Sequence, residues 1–188
     1  RRDRLASETA FLRFAEQCGL SHTPRLYAAL PAARLALIEY VPGRKLATAE
    51  VRDQHVAEAV AFFQTLNKFR STADAAALPL ASEACFGVFE HLACVRDRVQ
   101  ALQEWPESEG ELGDLVRVEL PAAWRDVMSR TISDALIPAT ILAATDRRLS
   151  PSDFGFHNAI VEIVAGQGER LRFIDFEYAG WDDPAKTA

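Results

Sequence analysis

Three oxygen-bearing side chains stand close together near the C-terminal end of the sequence. Asp153 and Asn158 lie five residues apart in a polar loop, and Asp175 begins a second polar loop. Two β-branched, apolar runs, 159–164 and 171–174, separate these loops, and the glycines between the runs predict a hairpin turn. Because a hairpin brings its outer ends together, we expect two carboxylates and one amide oxygen to converge. Hard oxygen ligands of this kind suit Mg²⁺.

A magnesium site with few protein ligands predicts a phosphate-bearing substrate. Mg²⁺ keeps several waters and shares phosphate oxygens with its substrate, which favours phosphoryl transfer. Each residue also has a structural interpretation: Asp153 as a capping or turn acid, Asn158 as a turn residue and Asp175 as a strand-end cap. A metal-dependent hydrolase using His157 is less favoured, because the sequence has no paired-histidine motif such as HExxH.

Composition and charge restrict the class of protein. The chain has 188 residues, of which 49% are hydrophobic and 26% charged, as in ordinary globular proteins. A net charge of -6 argues against binding to a nucleic acid polymer. The longest apolar stretch, 135–144, is far shorter than the roughly 18 residues that a membrane span needs. Three cysteines without a CxxC pair favour a reducing environment. We therefore expect a cytoplasmic protein without a membrane segment.

Hydrophobic periodicity predicts a small mixed part at the start of the chain. Apolar residues three or four apart predict a helix over 5–18, with Glu8 inside its apolar stripe, where a carboxylate needs a partner. Two β-rich runs, 25–30 and 34–41, predict a hairpin. The Pro-Gly pair at 42 and 43 ends the second run, and we place a lobe boundary there.

The residues after this boundary predict a mostly helical part. Apolar residues from Val56 to Leu66 mark one helix face, and further helices are expected over 83–105 and 120–144. The acidic segment 104–113 contains a proline and two glycines, so it is expected to be a solvent loop.

The order of these motifs resembles that of the aminoglycoside phosphotransferase and choline kinase family, which shares the protein-kinase fold. Asp153, Asn158 and the sequence Ile-Asp-Phe-Glu at 174–177 are similar to the family's catalytic and metal loops. Upstream, the helix that contains Glu8 looks like the family's N-lobe helix. Leu-Ile-Glu-Tyr-Val-Pro-Gly at 37–43 looks like the hinge between the lobes.

The resemblance covers most of the chain and implies its fold. It implies an α+β, protein-kinase-like two-lobe fold with an incomplete N-lobe, a helix plus a β-hairpin with the hinge, over 1–43. The C-lobe over 44–188 would be mostly helical and would contain the catalytic β-hairpin.

The resemblance also implies a kinase activity, in which the γ-phosphate of ATP moves to a hydroxyl group of a small molecule. Asp153 would be the base that deprotonates the hydroxyl, while Asn158 and Asp175 would hold Mg²⁺. Glu8 would form an ion pair with a phosphate-binding lysine. The adenine would be received by backbone groups of the hinge residues Glu39, Tyr40 and Val41.

The sequence departs from the family pattern in ways that leave an inactive alternative open. Pro151 and Ser152 stand where the family usually has His and Gly. Gly155 stands where a basic residue commonly assists the phosphate, and His157 is the nearby substitute. Neither a lysine on a strand nor a glycine-rich loop precedes the Glu8 helix, so the chain looks partial. The alternative is a catalytically inactive pseudokinase that acts as a binding or scaffold module.

Overall fold

The computed structural model describes residues 3–105, 110–134, 141–166 and 168–186. The protein divides into two compact units, one formed by Arg1–Ala84 with Asp146–Ala188 and the other by Cys85–Thr145. In the described ranges, none of the helices has the length and apolar character that crossing a membrane requires. The lobe boundary between residues 43 and 44 is a separate division and stays a prediction.

The first unit contains three helices and all the strands of the described residues. The helices are α1 (Arg4–Gln17), α2 (Asp53–Lys68) and α3 (Ala73–Ala76). The strands are β1 (Leu26–Leu30), β2 (Leu35–Ile38), β3 (Arg44–Lys45), β4 (Arg148–Ser150), β5 (Ala159–Val164), β6 (Gly168–Phe173) and β7 (Gly180–Asp182). They form an antiparallel hairpin β1-β2, an antiparallel sheet in the order β3-β5-β6, and an antiparallel pair β4-β7.

The second unit is helical. It contains α4 (Val88–Gln103), α5 (Gly110–Asp114) and α6 (Leu120–Ser133), and a π-helical segment, Leu115–Glu119, joins α5 to α6. None of the site residues predicted from the sequence belongs to this unit.

Helix α1 has a defined start and a defined end. The Asp3 carboxylate accepts a hydrogen bond from the Ala6 N–H at 3.1 Å, which caps the first turn. Gly19 takes a φ of +69° after the last turn, and the Leu20 N–H donates back to the Ala15 carbonyl at 2.9 Å. This left-handed glycine with a reverse hydrogen bond is the usual way to end a helix.

Aromatic rings from α1, α2 and the two loops beside β5 and β6 form the centre of the first unit's core. Phe62 of α2 lies 5.1 Å from Phe173 of β6, centroid to centroid, and 5.6 Å from Phe154 in the loop before β5. Phe11 of α1 stacks on Phe176 in the loop after β6, at 4.7 Å. These ring contacts hold both polar loops against α2, and the loop after β6 also against α1.

A buried asparagine attaches α2 to β4. The side-chain amide of Asn67 donates to the Leu149 carbonyl at 3.0 Å, and its oxygen accepts the Leu149 N–H at 2.9 Å. Leu149 is fully buried, so these two bonds satisfy backbone groups that water does not reach. Strand β4, which leads into the loop of Asp153, is therefore bound to α2 through both backbone polar groups of Leu149.

After β2, the backbone at Gly43 lies close against the hairpin β5-β6. A Cβ at Gly43 would lie 2.3 Å from the Val161 carbonyl oxygen, so this position has no space for a side chain. Strand β3 then pairs with β5, with Arg44 opposite Val161 and Lys45 opposite Ile160.

The structure confirms several predicted elements and corrects others. Helix α1 and the hairpins β1-β2 and β5-β6 lie where the sequence placed them. Helix α2 also forms, but Val56 and Val60 of its predicted face are about half exposed, and Phe62 and Leu66 are the residues buried in the core.

Two predictions on the helical part are wrong in part. The helix predicted over 120–144 ends at Ser133, and 141–143 are not helical. A solvent loop was predicted over 104–113, but helix α5 begins at Gly110 within this range, and its residue Gly113 is buried. Residues 106–109 and 135–140 lie outside the described residues.

Candidate active site

The loop between β4 and β5 brings Asp153, His157 and Asn158 together. The amide nitrogen of Asn158 donates to the Asp153 carbonyl at 3.1 Å and lies 3.4 Å from the Asp153 carboxylate oxygen Oδ2. The other carboxylate oxygen of Asp153 is 3.3 Å from His157 Nε2. Half of the Asp153 side chain is exposed, at 50%, so a molecule from solution can reach its carboxylate.

Unusual backbone geometry precedes Asp153 and recurs at Asp175. Ser152 has a φ of +57° and Asp175 a φ of +69°, a left-handed conformation that is uncommon for residues other than glycine. The Ser152 N–H donates to the hydroxyl oxygen of the buried Ser150 at 2.9 Å. Strained residues of this kind cluster at functional sites, where the surrounding structure holds them.

One backbone hydrogen bond joins the two polar loops. The Ile174 N–H donates to the Asn158 carbonyl at 2.9 Å. Asp175 therefore follows directly after a residue that is bonded to Asn158. The loops that carry Asp153, Asn158 and Asp175 are thus joined at this end of β5 and β6, and the convergence of the three side chains on a metal ion stays a prediction.

Helix α1 holds the loop that starts at Asp175. The Glu8 carboxylate accepts a hydrogen bond from the Phe176 N–H, and the Phe176 ring stacks on Phe11. Arg4 pairs with Glu177 at 3.0 Å. The carboxylate in the apolar stripe of α1 thus has a backbone partner, and within the described ranges it makes no ion pair with a lysine.

Two carboxyl groups of this site, those of Asp175 and Glu8, have raised pKa values. Burial raises the pKa of the Asp175 carboxyl above its usual value, and the negative charges of Glu177 and Asp153 raise it further. Burial also raises the pKa of Glu8, against the lowering effect of the Phe176 N–H, and repulsion from Asp175 and Glu177 adds to the rise. The positive charges of Arg4 and His157 act in the opposite direction on Asp175 but do not cancel the effect of burial and of the neighbouring acids.

The donor set fits Mg²⁺. The Asn158 amide nitrogen is committed to Asp153, which leaves the amide oxygen as its ligand atom, and Asp175 offers a carboxylate. The described residues contain no cluster of three or more His, Cys, Asp or Glu side chains that could hold a metal. Two protein ligands suit an ion that takes its remaining oxygens from phosphates and water.

Gly155 makes space for the imidazole of His157. A Cβ at Gly155 would lie 2.6 Å from His157 Nδ1, which is closer than real Cβ atoms approach. A side chain at position 155 would therefore require the exposed His157 ring to move from its present position beside Asp153.

At the hinge, Glu39 is already engaged through two of its groups. Its N–H donates to the Arg25 carbonyl at 2.8 Å, and its carboxylate accepts from Arg172 at 2.7 Å and from the Arg25 N–H at 3.0 Å. Of the Glu39 backbone groups, the carbonyl is left to receive a ligand. Tyr40 is 85% exposed. The predicted role of Glu39, Tyr40 and Val41 in nucleotide binding stays a prediction.

Two contacts near the site were not predicted from the sequence. The two bonds between Asn67 and Leu149 join residues 82 positions apart in the chain. Lys45 Nζ donates to the His157 carbonyl at 3.3 Å, across the β3-β5 pairing.

Comparison with known proteins identifies the class first. The structure is similar to that of choline kinase from Cryptosporidium parvum Iowa II, with a TM-score of 0.56 and 14% sequence identity. The match covers 94% of this chain and 48% of the choline kinase chain, so this chain spans about half the length of that protein. The predicted kinase-like α+β fold is confirmed.

The sequence then identifies the family. A model described as "Phosphotransferase enzyme family" matches residues 1–186, and the chain belongs to this family. No curated protein sequence matches the chain. The family resemblance predicted from the loops and the hinge is therefore confirmed over nearly the whole chain.

Proposed function

We propose that the protein is a phosphotransferase that uses ATP and Mg²⁺ to phosphorylate a hydroxyl group of a small molecule. The supporting observation is the loop pair that holds an exposed Asp153 carboxylate beside Asn158 and links Asn158 to Asp175 through Ile174. Membership of the phosphotransferase family supports the same reaction class. Its partners are then a nucleotide and a small-molecule acceptor in the cytoplasm, rather than a nucleic acid polymer or a membrane.

In this proposal Asp153 is the catalytic residue that handles the proton. Its carboxylate accepts the proton of the acceptor hydroxyl while the hydroxyl oxygen forms a bond to the γ-phosphorus of ATP and the bond to the β-γ bridging oxygen breaks. ADP is the leaving group. His157 Nε2 and the Asn158 amide contact the Asp153 carboxylate from within the same loop and fix its orientation.

Asn158 and Asp175 are the proposed magnesium ligands. The Asn158 amide oxygen and the Asp175 carboxylate would hold the ion. When bound, Mg²⁺ would neutralise charge on the nucleotide phosphates. The raised pKa of Asp175 supports this role, since a cation would relieve the repulsion that Glu177 and Asp153 impose on it.

The hinge and α1 complete the proposed nucleotide site. The Glu39 carbonyl and backbone groups of Tyr40 and Val41 would receive the adenine edge. Glu8 would position the loop that begins with Asp175, because it already accepts a hydrogen bond from the Phe176 N–H.

The second candidate function is a pseudokinase that binds a nucleotide but transfers no phosphate. It is favoured by Gly155, which replaces a basic residue at the site, and by Glu8, whose partner among the described residues is a backbone N–H rather than a lysine. Binding and transfer must therefore be measured separately.

Thermal unfolding with ATP, in the presence and absence of Mg²⁺, tests the nucleotide site. At ligand about a hundredfold above its Kd, binding adds about 2.7 kcal/mol and raises the midpoint by about 5 to 10 °C for a chain of this size. We expect this shift in the wild type and in the control Asp97→Asn, which changes an exposed acid of α4. We expect no magnesium-dependent shift in Asp175→Asn, and a wild type without any shift would contradict the site.

Phosphate transfer from labelled ATP separates the two candidate functions. The acceptors are amino alcohols, sugars and aminoglycosides. Asp153→Asn should keep the magnesium-dependent shift and lose about 10²- to 10⁴-fold in transfer rate, because it removes the proton acceptor. A wild type that binds MgATP but transfers phosphate to none of these acceptors would favour the pseudokinase.

A further inference from the structure

Lys45 places an ammonium group at the loop of Asp153. It lies on β3, the strand that directly follows the hinge, and its Nζ donates to the His157 carbonyl at 3.3 Å. His157 is the residue immediately before Asn158. A cation from the strand after the hinge therefore reaches the backbone next to the proposed magnesium ligand.

The charge of Lys45 is not compensated by an acid. Its neighbour Arg44 pairs with Glu50 at 2.6 Å and lies 3.8 Å from Glu169. Within the described ranges Lys45 makes no ion pair, and the carbonyl that it contacts is neutral. An ammonium has three donors, and the side chain is exposed, so its remaining donors are open to a ligand from solution.

In the proposed function, a bound nucleotide would extend from the hinge to Asn158 and Asp175, and Lys45 is connected to both of these regions. In the proposed function the adenine lies at the hinge and the phosphates lie at Asn158 and Asp175. Lys45 comes four residues after Val41 in the sequence and contacts the residue before Asn158. The backbone of Lys45 thus continues from the hinge, and its Nζ contacts the loop that contains Asp153 and Asn158.

We propose that Lys45 binds the phosphate chain of the nucleotide; this assignment rests on the proposed function. The phosphates bring negative charge into a site that already contains the carboxylates of Asp153, Asp175 and Glu177, and like charges repel one another. A lysine bound to phosphate lowers this repulsion and forms a charge-assisted hydrogen bond. Lys45 then contributes positive charge at a site where Gly155 lacks a basic side chain.

Nucleotide titration of Lys45→Met tests the assignment. We expect its Kd for MgATP to rise about tenfold, the effect of losing one exposed charge-assisted hydrogen bond, while the Kd for adenosine stays unchanged. Lys45→Arg should recover most of the affinity, because it keeps the positive charge. Lys68→Met is the matched control, since it removes an exposed lysine at the end of α2 in the same unit.

The outcomes separate this assignment from the function on which it rests. If the wild type and Lys45→Met bind MgATP with the same Kd, the assignment alone is overturned. Equal losses of MgATP and adenosine binding in Lys45→Met also overturn it, because they place the lysine away from the phosphates. A wild type that binds no nucleotide overturns the proposed function, and the assignment with it. Unchanged unfolding midpoints of Lys45→Met and Lys45→Arg verify that both variants are folded.

Discussion

The first unit contains two groups of carboxylates with opposite electrostatics. In the group called here the paired cluster, each carboxylate faces a guanidinium. In the group called the acidic site, burial and the negative charges of neighbouring acids raise the pKa of two carboxyl groups. The paired cluster consists of Glu39, Glu162, Arg170 and Arg172, and the acidic site consists of Glu8, Asp153, Asp175 and Glu177.

Arg172 is the centre of the paired cluster. It is 5% exposed and donates to Glu39 at 2.7 Å, to Glu162 at 3.3 Å and to the Thr23 carbonyl at 3.0 Å. Burial alone would raise the pKa of Glu39, but the hydrogen bonds from the Arg25 N–H and from Arg172 outweigh it, and the pKa is lowered. These acids attach β6 to the hinge, and their charge is satisfied inside the chain.

The acidic site has the reverse pattern. Burial raises the pKa of Asp175 and of Glu8, and the neighbouring acids add to both shifts. The Arg4–Glu177 pair compensates part of the charge at the edge of the site. Glu39, which has its own arginine, thus joins parts of the fold with a lowered pKa, whereas the raised pKa values of Asp175 and Glu8 fit the proposed binding of a cation.

Among the variants that test this comparison, Arg172→Met should cause the largest change in the free energy of unfolding. Removing the buried guanidinium leaves Glu39 and Glu162 without their shared partner, and breaking a buried pair in this way costs about 3 to 5 kcal/mol. We expect the free energy of unfolding in urea to fall by that amount near neutral pH. Arg13→Met, which removes an exposed arginine of α1, is the control and should change it by less than about 0.5 kcal/mol.

The pH dependence of the same variant gives a second readout. Because the folded pKa of Glu39 is lowered, its stabilising contribution is present above the usual carboxyl pKa of about 4.3 and is lost as the pH falls through the folded value. The stability difference between wild type and Arg172→Met should therefore shrink below about pH 4.3. A difference that is constant with pH would mean that packing, not charge, explains the loss.

The acidic site was more predictable from sequence than the paired cluster, for a physical reason. One hairpin separates the loop of Asp153 and Asn158 from Asp175, and hairpin geometry is encoded locally by the apolar runs and the glycines. The contact between Arg172 and Glu39 joins residues 133 positions apart, and no local pattern specifies it. Local spacing predicted the loops, and tertiary packing determined which acids are paired.

Short strands were missed for a related reason. Strands β3, β4 and β7 have two or three residues each and form through their partners rather than through an alternating pattern of their own. The contact of Lys45 with the loop of Asp153 depends on the pairing of β3 with β5, so it could not be predicted from the sequence.

A smaller effect, opposite in sign, is expected for Glu8→Gln. Its folded pKa is raised, so protonated Glu8 favours the fold and this contribution is lost as the pH rises through the folded value. Glutamine keeps an acceptor for the Phe176 N–H and removes the repulsion from Asp175 and Glu177. Without nucleotide, the variant should be more stable than wild type near pH 7, by at most about 1 kcal/mol.

The control for Glu8→Gln is Glu16→Gln, an exposed acid on the same helix, which should leave the stability unchanged. The gain from Glu8→Gln should disappear in acid, where the wild-type carboxyl is protonated as well. A variant that is less stable than wild type near pH 7 would place Glu8 among the compensated acids and remove it from the acidic site.

The smallest effect should come from Arg4→Met. Arg4 pairs with Glu177 at 3.0 Å and lies 4.9 Å above the ring of Tyr178, but 56% of its side chain is exposed. Exposed pairs contribute about 0.2 to 1 kcal/mol, and salt screens them. We therefore expect a loss of that size in urea unfolding at about 0.1 M salt and a smaller one at about 1 M. A loss as large as that of Arg172→Met would show that Arg4 compensates the acidic site, and the two groups of carboxylates would then no longer differ in kind.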